Sequence, residues 1–226
     1  MKEKIESPLA DLSGTVSLGG ELTVRRLGFG AMRITGDGIW GPPKDPALAL
    51  AVLRRAVELG VNFIDTADSY GPYVSEELIA KALAPYPKDL VIATKGGWNR
   101  PGPDQWTHDA SAEHLRKAVE GSLKRLRLDR IDVYQLHVPD PVVSFDACLE
   151  TLAELQAAGK IRFVALSNVT KEHIERARKI ASIVCSTGSV ERNEISSGTT
   201  RHSCSAAMMR VSKCRRIRRK ACGSAR

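Results

Sequence analysis

Asn62-Phe63-Ile64-Asp65-Thr66-Ala67-Asp68-Ser69-Tyr70-Gly71 is the stretch on which the reading of this chain turns. Its first half is a short β-prone apolar run, the pattern of a buried strand, and it ends on a carboxylate, Asp65. Four more such runs follow the same plan: Leu27 to Met32, Leu90 to Lys95, Ile131 to His137 and Ile161 to Asn168. Between them lie segments with helical spacing, namely Leu48, Val52, Ala56 and Leu59, then Leu115, Val119, Leu123 and Leu126, then Leu149, Leu152 and Leu155. Ser75 precedes Glu76-Glu77, where the first turn of a helix favours carboxylates, and Gly60 and Gly159 follow apolar helices where a left-handed cap is needed. Alternating strands and helices imply a parallel sheet covered by helices.

Both a doubly wound sheet and a (β/α)8 barrel satisfy that alternation, so the placement of polar residues has to decide. Asp65, Lys95, His137 and Ser167-Asn168 each end a strand run, with separations of 30, 42 and 30 residues. In a barrel such residues converge at one mouth. A dinucleotide-binding doubly wound fold also wants G-x-G-x-x-G after its first strand, and Gly28-Phe29-Gly30-Ala31-Met32-Arg33 lacks the third glycine. The fold expected is therefore α/β, of the (β/α)8 TIM-barrel type. Ahead of it, Thr15 to Val24 alternates around Gly19-Gly20 and predicts a β-hairpin cap.

Composition bounds the remaining possibilities. With 226 residues, 42% hydrophobic and 27% charged, the chain has the make-up of a globular domain and not of a disordered one. It contains no run of about 18 apolar residues, so no membrane span is expected. Met1 to Glu6 mixes charges without an apolar core, so no secretory signal is read and the cytoplasm is the expected compartment. The net charge of +8 is unevenly spread: residues 1 to 184 are balanced, and all the excess falls in residues 185 to 226. That tail also holds four of the five cysteines (Cys185, Cys204, Cys214, Cys222) and neither leucine nor any aromatic residue.

At the mouth, a buried lysine is costly unless its charge is matched, and Asp65 on the neighbouring strand is a suitable partner for Lys95. Tyr70 lies in the loop after Asp65, where its phenol can turn back toward the mouth. A phenol titrates near pH ~10, too high for ready proton donation, and a nearby Lys95 ammonium is expected to lower it. His137 would then donate a hydrogen bond to a carbonyl oxygen. Such a group protonates a carbonyl oxygen while hydride comes from elsewhere, and since no side chain supplies hydride, a nicotinamide cofactor is implied. Ser167 and Asn168 offer the hydroxyl and amide that a carboxamide bonds. Taken singly, Asp65 and Lys95 read equally well as a structural ion pair, Tyr70 as packing, and Ser167-Asn168 as a cap for the helix starting near Thr170. Trp40, Trp98 and Trp106 follow strands, where they line a pocket or close the rim. His108 and His114 read as surface residues and Cys148 as a lone buried thiol.

These motifs, together with Ala93-Thr94-Lys95, Gln135-Leu136-His137 and Gly159-Lys160-Ile161-Arg162 leading into Leu166-Ser167-Asn168, resemble the aldo-keto reductases over residues 15 to about 183. The resemblance implies an NADPH-dependent carbonyl reductase, with NADH the alternative cofactor and a small aldehyde or ketone as substrate. It implies Tyr70 as general acid, Asp65 and Lys95 as its tuning pair, His137 as carbonyl orienter, and Ser167 and Asn168 as nicotinamide binders. No metal, nucleic acid or membrane partner is expected.

The resemblance fades after Ser196. Val190 to Ser196 is similar to the family's sixth strand, with Arg192 where a nicotinamide-contacting glutamine is usual. Three expected segments follow: residues 1–14, a partial barrel over 15–184, and an irregular basic tail over 185–226. The tail reads as the product of a frameshift near residues 184 to 203, with a basic segment at Lys213 to Lys220 for anionic partners as the rival. A catalytically inactive fragment or a cofactor-binding regulatory protein is the alternative to an enzyme.

Overall fold

The computed structural model describes residues 8–187 and 207–209. A 3-10 turn at Leu9–Ser13 leads into the antiparallel hairpin of β1 (Thr15–Leu18) and β2 (Leu22–Arg25). Then come β3 (Leu27–Gly30), α1 (Pro46–Glu58), β4 (Phe63–Asp65), α2 (Val74–Leu83) and β5 (Val91–Gly96). A small hairpin, β6 (Trp98–Asn99) with β7 (Thr107–His108), precedes α3 (Ala112–Leu126), β8 (Ile131–Leu136), α4 (Phe145–Ala157), β9 (Ile161–Ser167) and α5 (Lys171–Ala177). Two further strands are β10 (Ile183–Thr187) and β11 (Ala207–Met209).

The large sheet is parallel throughout, in the order β10-β9-β8-β5-β4-β3-β11. Five strands therefore lie where the apolar runs place them, in sequence order, with β3 shorter than its run because Ala31–Ile34 turns into a 3-10 helix. β10 continues to Thr187, past the boundary read at residue 184. Ala207–Met209 pairs with β3, which supplies hydrogen-bond partners to an otherwise open edge. Val190 to Ser196, Lys213 to Lys220, Cys204, Cys214 and Cys222 lie outside the described residues. No helix among the described residues is long and apolar enough to cross a membrane.

Strand alternation sorts the side chains onto two faces. Ile64, Ile92, Tyr134, Leu136, Val164 and Leu166 point outward and are buried beneath the helices. Phe63, Val91, Ala93, Val133, Phe163 and Ala165 point inward and pack on Leu18, Leu22 and Val24 of the hairpin, which plugs the N-terminal end of the barrel. The next inward positions along the same strands are Asp65, Lys95, Gln135 and Ser167. The period-2 pattern thus carries each strand from an apolar floor to a polar mouth.

The helices follow their spacing, with one exception. Leu115, Val119, Leu123 and Leu126 of α3 and Leu149, Leu152 and Leu155 of α4 are all buried, and Gly60 (φ 90°) and Gly159 (φ 76°) take the left-handed caps. In α1 the expected stripe holds only in part: Ala56 is buried, but Leu48 and Val52 are exposed, and Ala49 and Leu53 face the core beside Ala56. Two adjacent apolar stripes compete on this helix, and the one with two alanines lets the helix lie closest to the sheet. Glu76 and Glu77 fall in the first turn of α2 as expected, although the helix begins after Tyr73 and Ser75 is not its cap; Asp45, Ser111 and Thr170 cap α1, α3 and α5.

Glu76, in the first turn of α2, is fully buried between sheet and helices. One of its oxygens accepts from Thr94 Oγ1 at 2.5 Å and the other from Arg125 Nε of α3 at 2.6 Å. Removing one partner of such a pair strands the other without compensation. Glu76→Ala is therefore expected to lower stability by about 3–5 kcal/mol in urea or thermal unfolding, and a loss under about 1 kcal/mol would mean that solvent already screens the pair.

Candidate active site

The C-terminal ends of β4, β5, β8 and β9 bring the sequence-predicted residues to one place. Lys95 Nζ donates to Asp65 Oδ2 at 2.6 Å and to the Thr66 carbonyl at 2.8 Å, and lies 3.5 Å from the Tyr70 hydroxyl. The other Asp65 oxygen accepts from Gln135 Nε2 at 2.7 Å. The His137 ring meets the Tyr70 ring edge-on, centroids 5.8 Å apart, and its Nδ1 is 3.4 Å from Ser69 Oγ. Asp65, Tyr70, Lys95 and His137 are all buried.

Register explains the convergence. Asp65 pairs with Ala93 and Lys95 with Gln135, so the stagger of the parallel strands sets each polar residue beside the next. The loop after β4 then folds over this end: Asp68 N–H bonds the Lys95 carbonyl, Tyr70 N–H the Ala67 carbonyl, and Ser75 N–H the Tyr70 carbonyl. Thr66 and Ser75 share a hydrogen bond at 2.8 Å, and Ser75 Oγ also donates to the Ala31 carbonyl, which anchors the loop to the start of α2. On β5, a Cβ at Gly96 would collide with the Tyr134 hydroxyl, so the residue beside Lys95 has to be the smallest.

The electrostatics correct one expectation. Burial pushes the Tyr70 phenol up, and Lys95 only partly opposes it, so the net shift is upward and not the expected lowering. Burial also works against the Lys95 charge, but attraction to Asp65 and then to Tyr70 outweighs it and holds the ammonium above the ordinary lysine value. Burial, reinforced by the Lys95 charge, pushes His137 well below the ordinary histidine value, which leaves a neutral ring. The Asp68 carboxyl is driven well up by burial and then by Glu76, and its Oδ1 has no hydrogen-bond partner among the described residues.

Ser167 is buried at the end of β9. Asn168, exposed beside it, takes a left-handed conformation (φ 55°) that asparagine tolerates. Its Nδ2 donates to the His137 carbonyl at 3.0 Å and to Ser167 Oγ at 3.3 Å. The cap of α5 belongs to Thr170, in a reciprocal box with His173, so Ser167 and Asn168 are not its caps. A hydroxyl and an amide carbonyl side by side at the mouth offer one donor and one acceptor, which fits the carboxamide end of a nicotinamide.

Trp98 lies on β6, 6.4 Å from the His137 ring and 5.8 Å from Trp106, while Trp40 is bridged through its backbone to Gly71. His108 is exposed and stacks on Trp98 at 4.2 Å. His114, expected at the surface, is instead largely buried, with its side chain 19% exposed, Nδ1 3.5 Å from Asp109 and Nε2 without a hydrogen-bond partner among the described residues. Cys148 is buried in α4, donates to the Ala110 carbonyl, and has its thiol pushed up to about 11 by burial. Sequence reasoning missed Gln135, Arg100 and the Glu76–Arg125 pair. Gln135 was within reach, since it sits two residues before His137 on the same strand face. Among the described residues no group of three His, Cys, Asp or Glu is placed to hold a metal.

Fold and site together define an incomplete (β/α)8-type barrel with its polar constellation at the C-terminal mouth. The Aldo/keto reductase family profile matches residues 26–194, and the chain belongs to that family. An uncharacterized oxidoreductase of Schizosaccharomyces pombe is 48% identical over 175 residues, covering 77% of this chain and 56% of that protein. Pyridoxine 4-dehydrogenase of Escherichia coli is 46% identical over 179 residues, covering 76% of this chain and 62% of that protein. The glycerol dehydrogenase structure from Gluconobacter oxydans superposes with a TM-score of 0.71 at 33% identity, covering 78% of this chain and 55% of that one. A holo-form aldo-keto reductase from Bacillus halodurans gives 0.68 at 33% identity, covering 77% and 56%. The chain thus spans less than two thirds of the length of each of these relatives.

The neutral His137 has a consequence for stability. Below about pH 6.5 the unfolded chain protonates this imidazole while the folded one does not, so its contribution is present above that pH and is lost on acidification toward the folded value. His137→Gln is expected to show a shallower fall of thermal midpoint between about pH 6.5 and 5 than the parent chain. Parallel curves would show that the ring is not held neutral.

Proposed function

We propose that this chain carries the proton-donating face of an NADPH-dependent reductase that converts small aldehydes or ketones to alcohols, with NADH as the alternative cofactor. The observation that supports this most is Lys95 Nζ held between Asp65 Oδ2 at 2.6 Å and the Tyr70 hydroxyl at 3.5 Å inside a buried mouth. A nicotinamide cofactor, when bound, supplies the hydride.

Tyr70 donates its proton to the substrate oxygen as that oxygen gains charge. The phenol is a poor acid in the resting site, which keeps it protonated, and the adjacent ammonium stabilises the phenolate that donation leaves behind. Asp65 keeps Lys95 charged and aimed, and Gln135 holds the carboxylate from its other side. His137, being neutral, presents a ring N–H to the carbonyl oxygen and orients it without competing as an acid. Ser167 and Asn168 hold the carboxamide. Alcohol oxidation runs the same contacts backwards, with Tyr70 returning to the phenol.

The related pyridoxine 4-dehydrogenase and glycerol dehydrogenase have names that refer to hydroxyl-bearing small molecules, which supports small alcohols and their carbonyl counterparts as the substrate class here. The proposal keeps the chain in the cytoplasm, with no metal and no nucleic acid or membrane partner. The second reading is a catalytically inactive fragment or a cofactor-binding regulatory protein.

Tyr70→Phe separates the two. It removes the proton and keeps the ring, so carbonyl reduction is expected to fall by about 10²–10⁴-fold in a coupled assay of NADPH consumption while NADPH binding is retained. Reduction at the parent rate would remove Tyr70 as the acid. Binding without turnover in the parent chain would favour the second reading.

A further inference from the structure

Arg100 follows β6 and is 9% exposed, yet all of its hydrogen bonds among the described residues go to backbone carbonyls. Nε donates to Gln105 at 3.0 Å, one terminal nitrogen to Ile39 at 3.0 Å and Ser69 at 3.1 Å, and the other to Gly38 at 3.4 Å. The guanidinium lies 3.7 Å from the centroid of Trp106 and 5.3 Å from that of Trp40. Burying a cation against carbonyls and ring faces is costly without a carboxylate bonded to it, and closing a hairpin does not require it.

What sets these contacts apart is the segments they join. Gln105 belongs to the hairpin of Trp98 and Trp106. Gly38 and Ile39 belong to the turn before Trp40, which is tied to Gly71 by Gly41 N–H to the Gly71 carbonyl at 2.8 Å and by Gly71 N–H to the Ile39 carbonyl at 3.3 Å. Ser69 immediately precedes Tyr70, and its hydroxyl faces His137 Nδ1. Arg100 therefore grips the backbone directly on one side of Tyr70 and, through the Ile39 turn, on the other.

Resting on the carbonyl-reductase reading, we infer that Arg100 is a positioning residue: its planar fork locks the aromatic hairpin and the Trp40 turn onto the Tyr70 loop, fixing the phenol against Lys95 and Ser69 against His137. A guanidinium suits this role because its donors lie in one rigid plane, whereas an ammonium reaches fewer carbonyls and in no fixed direction.

The test uses the full chain with Arg100→Met, which keeps the aliphatic stem, and Arg100→Lys, which keeps the charge. Amide hydrogen exchange and steady-state reduction of an aldehyde by NADPH are the readouts. In the Met variant, exchange is expected to quicken by about tenfold or more in three segments together, 38–41, 69–71 and 105–108, with the strands of the large sheet unchanged. Its kcat is expected to fall by about 10–100-fold with little change in KM for the aldehyde, because the loss is in alignment and not in binding. The Lys variant is expected to fall between Met and parent in both readouts.

Faster exchange confined to 105–108, or a parent-like kcat, would overturn the inference, because Arg100 would then serve the hairpin alone. A collapse of protection throughout the sheet in both variants would overturn it as well, by making Arg100 a general stability element. If the parent chain does not reduce the aldehyde, the reductase reading fails on its own, and the exchange pattern alone decides whether Arg100 couples the three segments.

Discussion

The Lys95–Asp65 ion pair is the constraint around which this molecule is arranged. Both groups are out of water at the end of a barrel, where an uncompensated charge would cost several kcal/mol. Their pairing requires β4 and β5 to be neighbours in parallel register, and it requires both residues to occupy inward positions of the strand alternation. Gln135 on the next strand completes the carboxylate's bonding, and the Thr66 carbonyl completes the lysine's. Such a pair is weak support for stability, since apolar residues of similar size would serve the core as well or better. Its value lies in setting a stable positive charge beside the Tyr70 hydroxyl.

The surroundings of the pair divide into a floor and a back wall. The floor is apolar: the hairpin side chains Leu18, Leu22 and Val24 meet Phe63, Val91, Val133 and Phe163 and keep water from the lower barrel. The back wall is polar and lies on the opposite faces of the same strands, where Glu76 ties Thr94 to Arg125, and Asp68 and the Tyr134 hydroxyl each retain a buried atom without a partner among the described residues. Partly satisfied groups of this kind cost stability. Asp68 belongs to the Tyr70 loop itself, so such a group adjoins the part whose geometry the chemistry needs.

Much of this was legible in the sequence because two simple periodicities coincide with residue chemistry. Strands of period 2 that end on Asp65, Lys95, His137 and Ser167 announce a mouth, and helices such as Leu115-Val119-Leu123-Leu126 have only one apolar stripe to bury. Where a helix has two that meet, as α1 does with Leu48-Val52-Ala56-Leu59 and Ala49-Leu53-Ala56, spacing is silent and closeness of packing decides. The direction of the Tyr70 shift was illegible because it is a balance of burial against a neighbouring charge, and burial depends on the loop closing over it. Arg100 was illegible for a different reason: its partners are backbone carbonyls, which carry no signal in the side-chain sequence.

The family assignment, the fold and the geometry at the strand ends leave one claim at the centre, that these residues form a working proton-donating mouth even though the chain spans only part of its relatives' length. The most direct measurement is to incubate the 226-residue chain with an aldehyde and NADPH deuterated at the transferring position, and to analyse the alcohol by mass spectrometry. One deuterium is expected on the carbinol carbon, at a rate above the protein-free background. Alcohol formed only at background, from folded chain that binds NADPH, would contradict that claim.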